Sequence, residues 1–485
     1  MSIGRVLAAN TAVQVVGKVI STILGMVVVG MMTRLLGQEG FGAYSTANAF
    51  LQVFAILLDM GLNVMVIQML GERAGDTTFE NRAVSAVFSL RFWSALIILS
   101  IAPIIAIFTP YSSDIKIAIF ALWASFFFTA LNQIVIGVQQ RHLKMHVVAI
   151  SEVAGRAVLL AGMAVAIVQN WTLVPVVILV SVAGIVNFVI NFLIARHYAS
   201  FKLGFDFAFW KITLMRCWPI GVSIIFSLIY FKSDTLILSW VRPMSEVGIY
   251  GAAYRVLEIL TTFPFMYAGV LLPIIANAWA RGNKEQFSNL IRRSFDAFCV
   301  ITFPMVAGMI LVATHAMILV ASEKFTASGP VLRVLVLAVG CIYISTIFSH
   351  AVVALDLQRA MIKHYIMIAI VVLILYIKFI PIYGIWAAAW LTVLSEAWIM
   401  LVNIYMTLKH TPMKLSWSVP GKAFLSTIAM FSAAFPFMDR SLGLTISIGV
   451  GVYTIAIFAT GAVTKTMITD LLSARKGAPT ADEVG

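Results

Sequence analysis

Apolar runs of roughly 20 residues recur from one end of this chain to the other, each about the length that crosses a hydrocarbon core as a helix. In lipid every backbone N–H and C=O must be satisfied internally, which leaves helices or a closed barrel. Unbroken apolar runs exclude the alternating pattern of barrel strands. The expected fold class is therefore an all-α polytopic membrane protein. Composition agrees: 61% of the 485 residues are hydrophobic and 11% are charged, with a mean hydropathy of +1.01.

Reading between charged and Gly/Pro-marked loops predicts about fourteen transmembrane helices, at 6–32, 42–70, 84–108, 115–138, 147–168, 172–195, 212–240, 247–280, 294–320, 329–355, 362–380, 383–408, 419–438 and 441–466. The first run follows Arg5, is too long for a signal-peptide core and leads into no small-residue cleavage site, so it is expected to remain as a membrane helix. Loops holding Arg82, Arg141, Lys144, Arg196, Arg281 and Arg293 carry most of the positive residues, whereas the alternate set holds little beyond Arg34, Lys116, Arg242, Lys324 and Arg440. Positive residues are retained inside, which predicts a multi-pass protein of the cytoplasmic (inner) membrane with both termini cytoplasmic. The net charge of +13 is spread over these short loops and forms no basic stripe, so nucleic acid is not an expected partner. Cys217, Cys299 and Cys341 are far apart inside apolar segments, without disulfide or metal spacing.

The chain echoes itself. "GAYSTANAFLQVF" from Gly42 aligns with "GIYGAAYRVLEIL" from Gly248, and Gln140-Arg141 recurs more weakly as Gln358-Arg359. Two parallel repeats of six helices are thus expected, as in transporters whose halves are related by an axis along the membrane normal. Residues 1–195 would form an N-terminal lobe, 196–211 a cytoplasmic interfacial linker and 212–408 a C-terminal lobe. Two additional helices would occupy 409–472, and 473–485 a disordered cytoplasmic tail.

At about 100° per residue, polar residues gather into stripes on the first two helices and on their repeat equivalents, the seventh and eighth. The stripes are Asn10, Gln14, Lys18, Ser21 and Gly25; Tyr44, Asn48, Gln52, Asp59 and Asn63; Arg216, Ser223, Ser227, Tyr230 and Asp234; and Gly248, Gly251, Arg255, Glu258 and Thr262. A charge at mid-membrane costs roughly 2.5 to 3.5 kcal/mol on insertion scales, so ionisable groups there face protein or a water-filled space. Four stripes with six such groups point to a shared cavity, although small and polar residues also hold membrane helices together without a transport role. Lys232, on the opposite face from Asp234, is expected to snorkel outward. Glu152 and Arg156, at i and i+4, are expected to pair with each other, and His350 to be a packing histidine.

"SDTLILSWVRPMSEVGIYGAAYRVLEIL" from Ser233 resembles the stretch joining the seventh and eighth helices of the polysaccharide-export flippases, and "RLLGQEGFGAYS" from Arg34 is similar to their first-to-second helix connection. The resemblance implies the multidrug/oligosaccharidyl-lipid/polysaccharide fold, two six-helix lobes around a central cavity that opens alternately to each side. It implies a substrate, undecaprenyl-pyrophosphate-linked oligosaccharide, moved to the outer leaflet for cell-surface polysaccharide synthesis, with membrane lipid and polysaccharide polymerase or assembly proteins as further partners. On that reading Lys18, Arg216 and Arg255 meet the pyrophosphate, and Asn10, Gln14, Asn48 and Gln52 offer amides to the sugar. Asp59, Asp234 and Glu258 would balance the cations or carry a coupling H+ or Na+. No catalytic residue, metal or other cofactor is expected. One alternative is a cation/multidrug antiporter of the same superfamily, which would favour acidic and aromatic lumenal residues. A membrane glycosyltransferase needs a platform outside the membrane, and the outward loops are only about three to nine residues long. An ATP-driven exporter is disfavoured because neither Gly17-Lys18 nor Gly421-Lys422 continues into a P-loop.

Overall fold

The computed structural model describes residues 3–59, 62 and 76–463, with side chains except at 3–12, 14–15, 59, 216, 218–220 and 222–231. The stretch Ile3–Asp59 is helical apart from Gly37, whose φ of 66° and ψ of −171° break it into α1 (3–36) and α2 (38–59). Then follow α3 (Thr77–Ile107), α4 (Ser113–Arg141), α5 (Met145–Val168), α6 (Leu173–Ala195), α7 (Phe207–Val241) and α8 (Met244–Ala280). The second half holds α9 (Lys284–Val320), α10 (Ser328–Ala354), α11 (Gln358–Tyr383), α12 (Ile385–His410), α13 (Ser418–Ala434) and α14 (Leu442–Ala459). No strand occurs among the described residues, and each of the fourteen expected spans has its helix. Among the described residues, eleven helical stretches are long and apolar enough to cross a membrane, α1–α2 counting as one and α13 falling short at 17 residues.

Of the boundaries that differ from expectation, two have clear local reasons. No loop separates the first two spans, because a positive φ is open to glycine at little steric cost and one residue suffices to redirect the helix. α9 starts at Lys284 instead of about residue 294: its first turns are amphipathic, with Phe287 and Ile291 buried and Lys284, Glu285 and Gln286 exposed, and hydropathy averaging overlooks such turns. Asn283 caps it, its Oδ1 accepting from the Gln286 N–H at 2.9 Å.

The chain divides into two compact units, Met1–Gly251 with Val320–Lys324 and Tyr365–Ile385, and Ala252–Leu319 with Phe325–His364 and Trp386–Gly485. In the first, an aromatic core forms around Phe88, Phe127 and Phe188, with Trp123 stacked on Phe127 at 5.0 Å. A buried amide pair, Asn191 Nδ2 to Asn132 Oδ1 at 3.1 Å, joins α6 to α4. In the second, α10 is the most enclosed spanning helix, and Asn403 of α12 donates to Ser345 of α10 at 3.0 Å. An amide bridge thus joins α4 to α6 and another joins α10 to α12, a common use of amides between membrane helices. His350 donates from Nδ1 to the Thr346 carbonyl, one turn back on its own helix, at 2.8 Å, as expected of a packing histidine.

Before α7 the chain is strapped along α3. Ser85 donates to the Ser200 carbonyl at 2.7 Å, Trp210 Nε1 to the Ala86 carbonyl at 2.8 Å, and Phe205 stacks on Trp93 at 5.3 Å. Asp206 caps α7 and meets Arg82 at 2.8 Å. The backbone N–H of Phe209, then the Arg82 guanidinium, hold the Asp206 carboxyl below the usual carboxylate range. A depressed folded value stabilises above the unfolded pKa and is lost as pH falls through the folded one. Asp206→Asn, which keeps a capping side chain, is therefore expected to unfold slightly earlier than the parent at neutral pH, with the difference in Tm closing as pH drops below about 4. A gap that persisted undiminished in acid would contradict this.

Candidate functional site

On α1, Lys18 and Ser21 meet α5. Lys18 Nζ lies 2.9 Å from Glu152 Oε1, and Ser21 Oγ donates to the same oxygen at 2.9 Å. The approach is close because Gly17 faces Ala149, whose Cβ would stand 2.4 Å from a Cβ at Gly17. The pair borders open space, with the Lys18 side chain 41% and the Glu152 side chain 25% exposed. Glu152 thus pairs across helices and not with Arg156, as its i, i+4 spacing suggests. Helix crossing puts an ammonium on the carboxylate, and the intrahelical rule has no knowledge of that neighbour.

On α2, Asn48 and Gln52 are half-buried. Gln52 Oε1 is enclosed with no hydrogen-bond partner among the described residues, leaving an acceptor available. Asp234 of α7, expected in a cavity stripe, is instead fully buried at 0% exposure. Tyr250 donates to its Oδ2, and the Thr235 hydroxyl to its Oδ1 at 3.1 Å. Lys232, expected to reach outward, is 5% exposed and within electrostatic reach of that carboxylate. Burial beside an opposite charge replaces snorkelling here.

The α8 stripe divides into two parts. Gly248 and Gly251 serve packing: a Cβ at Gly248 would stand 1.9 Å from the Gln38 carbonyl oxygen, and one at Gly251 2.5 Å from Ser45 Oγ. Gly42 answers reciprocally, its Cβ falling 1.9 Å from the Met244 carbonyl oxygen. The two glycines that align in the internal repeat therefore meet at one crossing of α2 and α8, each against the residue four positions before the other. A turn further on, in the second unit, Arg255 Nη1 pairs with Glu258 Oε2 at 2.7 Å, their side chains 26% and 27% exposed. Thr261 and Thr262 donate to the Glu258 carbonyl at 3.0 and 3.2 Å, and Tyr343 of α10 anchors α8 through the Leu260 carbonyl at 2.9 Å.

The side chains of Asn10, Gln14, Asp59 and Arg216 lie outside the described residues. Among the described residues no group of three His, Cys, Asp or Glu side chains could hold a metal ion. Each unit, taken by itself, offers a cation held by a partly exposed carboxylate, Lys18–Glu152 in the first and Arg255–Glu258 in the second. Glu152 is the residue that sequence reasoning missed as Lys18's partner; its signal was a carboxylate inside an apolar span, read against its own helix.

Residues 7–279 match the model of a family described as polysaccharide biosynthesis protein. Two Haloferax volcanii proteins are similar in sequence. The probable low-salt glycan biosynthesis flippase Agl15 is 24% identical over 216 residues, 44% of this chain and 46% of that protein. The probable flippase AglR is 25% identical over 228 residues, 45% of this chain and 47% of that protein. The chain spans less than half the length of either relative in these matches. Among solved structures, the lipid II flippase MurJ in an inward closed conformation superposes with a TM-score of 0.76 at 17% identity, over 91% of this chain and 97% of that one. An inward-facing multidrug resistance MATE family transporter of the MOP superfamily gives 0.65 at 13% identity, over 82% and 97%. At such identities these likenesses speak for the fold.

Proposed function

Because the chain belongs to the polysaccharide biosynthesis protein family, we propose that it is a flippase that carries polyprenyl-pyrophosphate-linked oligosaccharide across the cytoplasmic membrane by alternating access of two six-helix lobes. The observation that carries this reading is a partly exposed cation–carboxylate pair within the membrane helices of each unit, Lys18–Glu152 and Arg255–Glu258. A pyrophosphate brings at least two negative charges, and a cation already held by a carboxylate can exchange that partner for phosphate without ever standing uncompensated. Gln52 Oε1 and the Asn48 amide suit sugar hydroxyls. The carboxylate released in the exchange is then available to a coupling H+ or Na+.

The test is reconstitution of the full chain into vesicles with a lipid-linked oligosaccharide on one leaflet. Translocation of that lipid supports the reading. Export of cationic drugs without lipid translocation would instead identify an antiporter, and sugar transfer onto the lipid a glycosyltransferase. Orientation is checked separately: reporter fusions at Gly282 and Thr411 are expected to read cytoplasmic, and those at Ser112 and Ser245 external. Opposite readings at more than one of these sites would overturn the topology.

A further inference from the structure

One turn along α5 from Glu152, Arg156 is exposed although its helix is long and apolar enough to cross a membrane. It stands 11 residues after Met145 and 12 before Val168, about 17 Å of helix from the nearer end. That is too far for its side chain to reach a membrane surface by snorkelling. Its guanidinium rests on α1 over Gly25, with Cζ 3.5 Å and Nη1 3.6 Å from the point where a Cβ would stand. A large side chain at 25 would take that seat. Glu152 is engaged by Lys18 and Ser21, and among the described residues no carboxylate pairs with Arg156. α6, packed along α5, contains no ionisable side chain between Leu173 and Ala195. The α1–α5 seam thus holds two cations for one carboxylate, next to open space and deep in a membrane helix, where a surplus charge calls for water or an anion.

We propose that Arg156 and Lys18, with Glu152 as built-in counter-ion, form a diphosphate-binding site. Arg156 supplies a planar fork that can take two oxygens of one phosphate. The second phosphate competes with Glu152 for the Lys18 ammonium, and the Ser21 hydroxyl, one turn away, is freed to donate to it. Gly25, lacking a side chain, leaves room for the guanidinium to lie against α1. The identity of the lipid that brings the diphosphate rests on the transport reading above; the chemistry of the site does not.

The experiment is binding of polyprenyl diphosphate to the purified full chain in lipid nanodiscs, with polyprenol and inorganic pyrophosphate as comparators and thermal unfolding recorded for every variant. Arg156→Ala is expected to weaken polyprenyl diphosphate binding about tenfold or more, Arg156→Lys to recover part of it, and Gly25→Leu to mimic the loss with the charge retained. Glu152→Gln, which removes the competitor for Lys18, is expected to tighten binding severalfold. Inorganic pyrophosphate should compete with the lipid in the unmodified protein, a result that stands even if Arg156→Ala fails to fold. Polyprenol binding as tightly as the diphosphate, an absence of pyrophosphate competition, or a folded Arg156→Ala with unchanged affinity would each overturn the site. The two readings fail separately. Diphosphate binding with these variant effects but no lipid translocation sinks the flippase, whereas translocation undiminished in Arg156→Ala sinks the site.

Discussion

Gly42→Ala is expected to be among the most destabilising single methyl additions this protein can take, and Gly248→Ala its equal. Each new Cβ would stand 1.9 Å from a backbone carbonyl oxygen of the facing helix, the Met244 oxygen in one case and the Gln38 oxygen in the other. A backbone atom cannot swing aside as a side-chain end can, so α2 and α8 must separate. The cost then lies at or beyond the upper end of the ~1–3 kcal/mol typical of overpacking. Once one methyl has forced the helices apart, the second meets less resistance, so the double mutant is expected to cost clearly less than the sum of the singles, as coupled neighbours do. Gly269→Ala, on the same helix with nothing within 4 Å of its Cβ position, is the control. It is expected to be neutral or to stabilise by up to about 1 kcal/mol through helix propensity. Thermal unfolding of the four variants in one detergent decides the matter; a Gly42→Ala protein melting within a degree of the parent would show that the crossing is slack.

On the flippase function proposed above, Arg255→Ala is expected to stop lipid-linked oligosaccharide translocation more completely than Glu258→Gln. The pair is about three-quarters enclosed and separated by 2.7 Å. Truncating one member of such a pair costs about 2–5 kcal/mol, or roughly thirtyfold or more in rate if the lost contact is made to the moving phosphate. Glu258→Gln leaves the guanidinium in place and is expected to reduce the rate less while weakening its dependence on pH, because the carboxylate that phosphate would displace no longer exchanges a proton. A purely structural pair behaves differently: both singles misfold, and an apolar double mutant recovers stability and transport together. Measuring translocation and folded yield for the two singles and the double separates the cases, and a double mutant that transports at the parental rate removes Arg255 from the mechanism.

Much of the architecture was legible in the residues themselves, because the length and hydropathy of a membrane span are properties of one segment. All fourteen helices follow from runs of roughly 20 apolar residues, and the alignment of Gly42 with Gly248 marked two positions that the fold brings together. The stripe Lys18, Ser21 and Gly25 was likewise visible as one face of one helix. What that face meets was not. Lys18 has its partner at Glu152, 134 residues along the chain, since the near contact of Gly17 with Ala149 sets the α1–α5 approach. The i, i+4 rule that assigned Glu152 to Arg156 sees one helix at a time. Asp234 and Lys232 show the same limit: periodicity sets them on faces of α7, and only the packing of Tyr250 and Thr235 against that carboxylate determines that it is buried. The direct run of α1 into α2 depended on a single backbone angle at Gly37. Composition and period, being local, determined which segments become helices and which residues share a side. Ion-pair partners, burial and the roles of the glycines were decided by how closely those helices approach, which depends on side chains distant in the chain and exists only in the folded state.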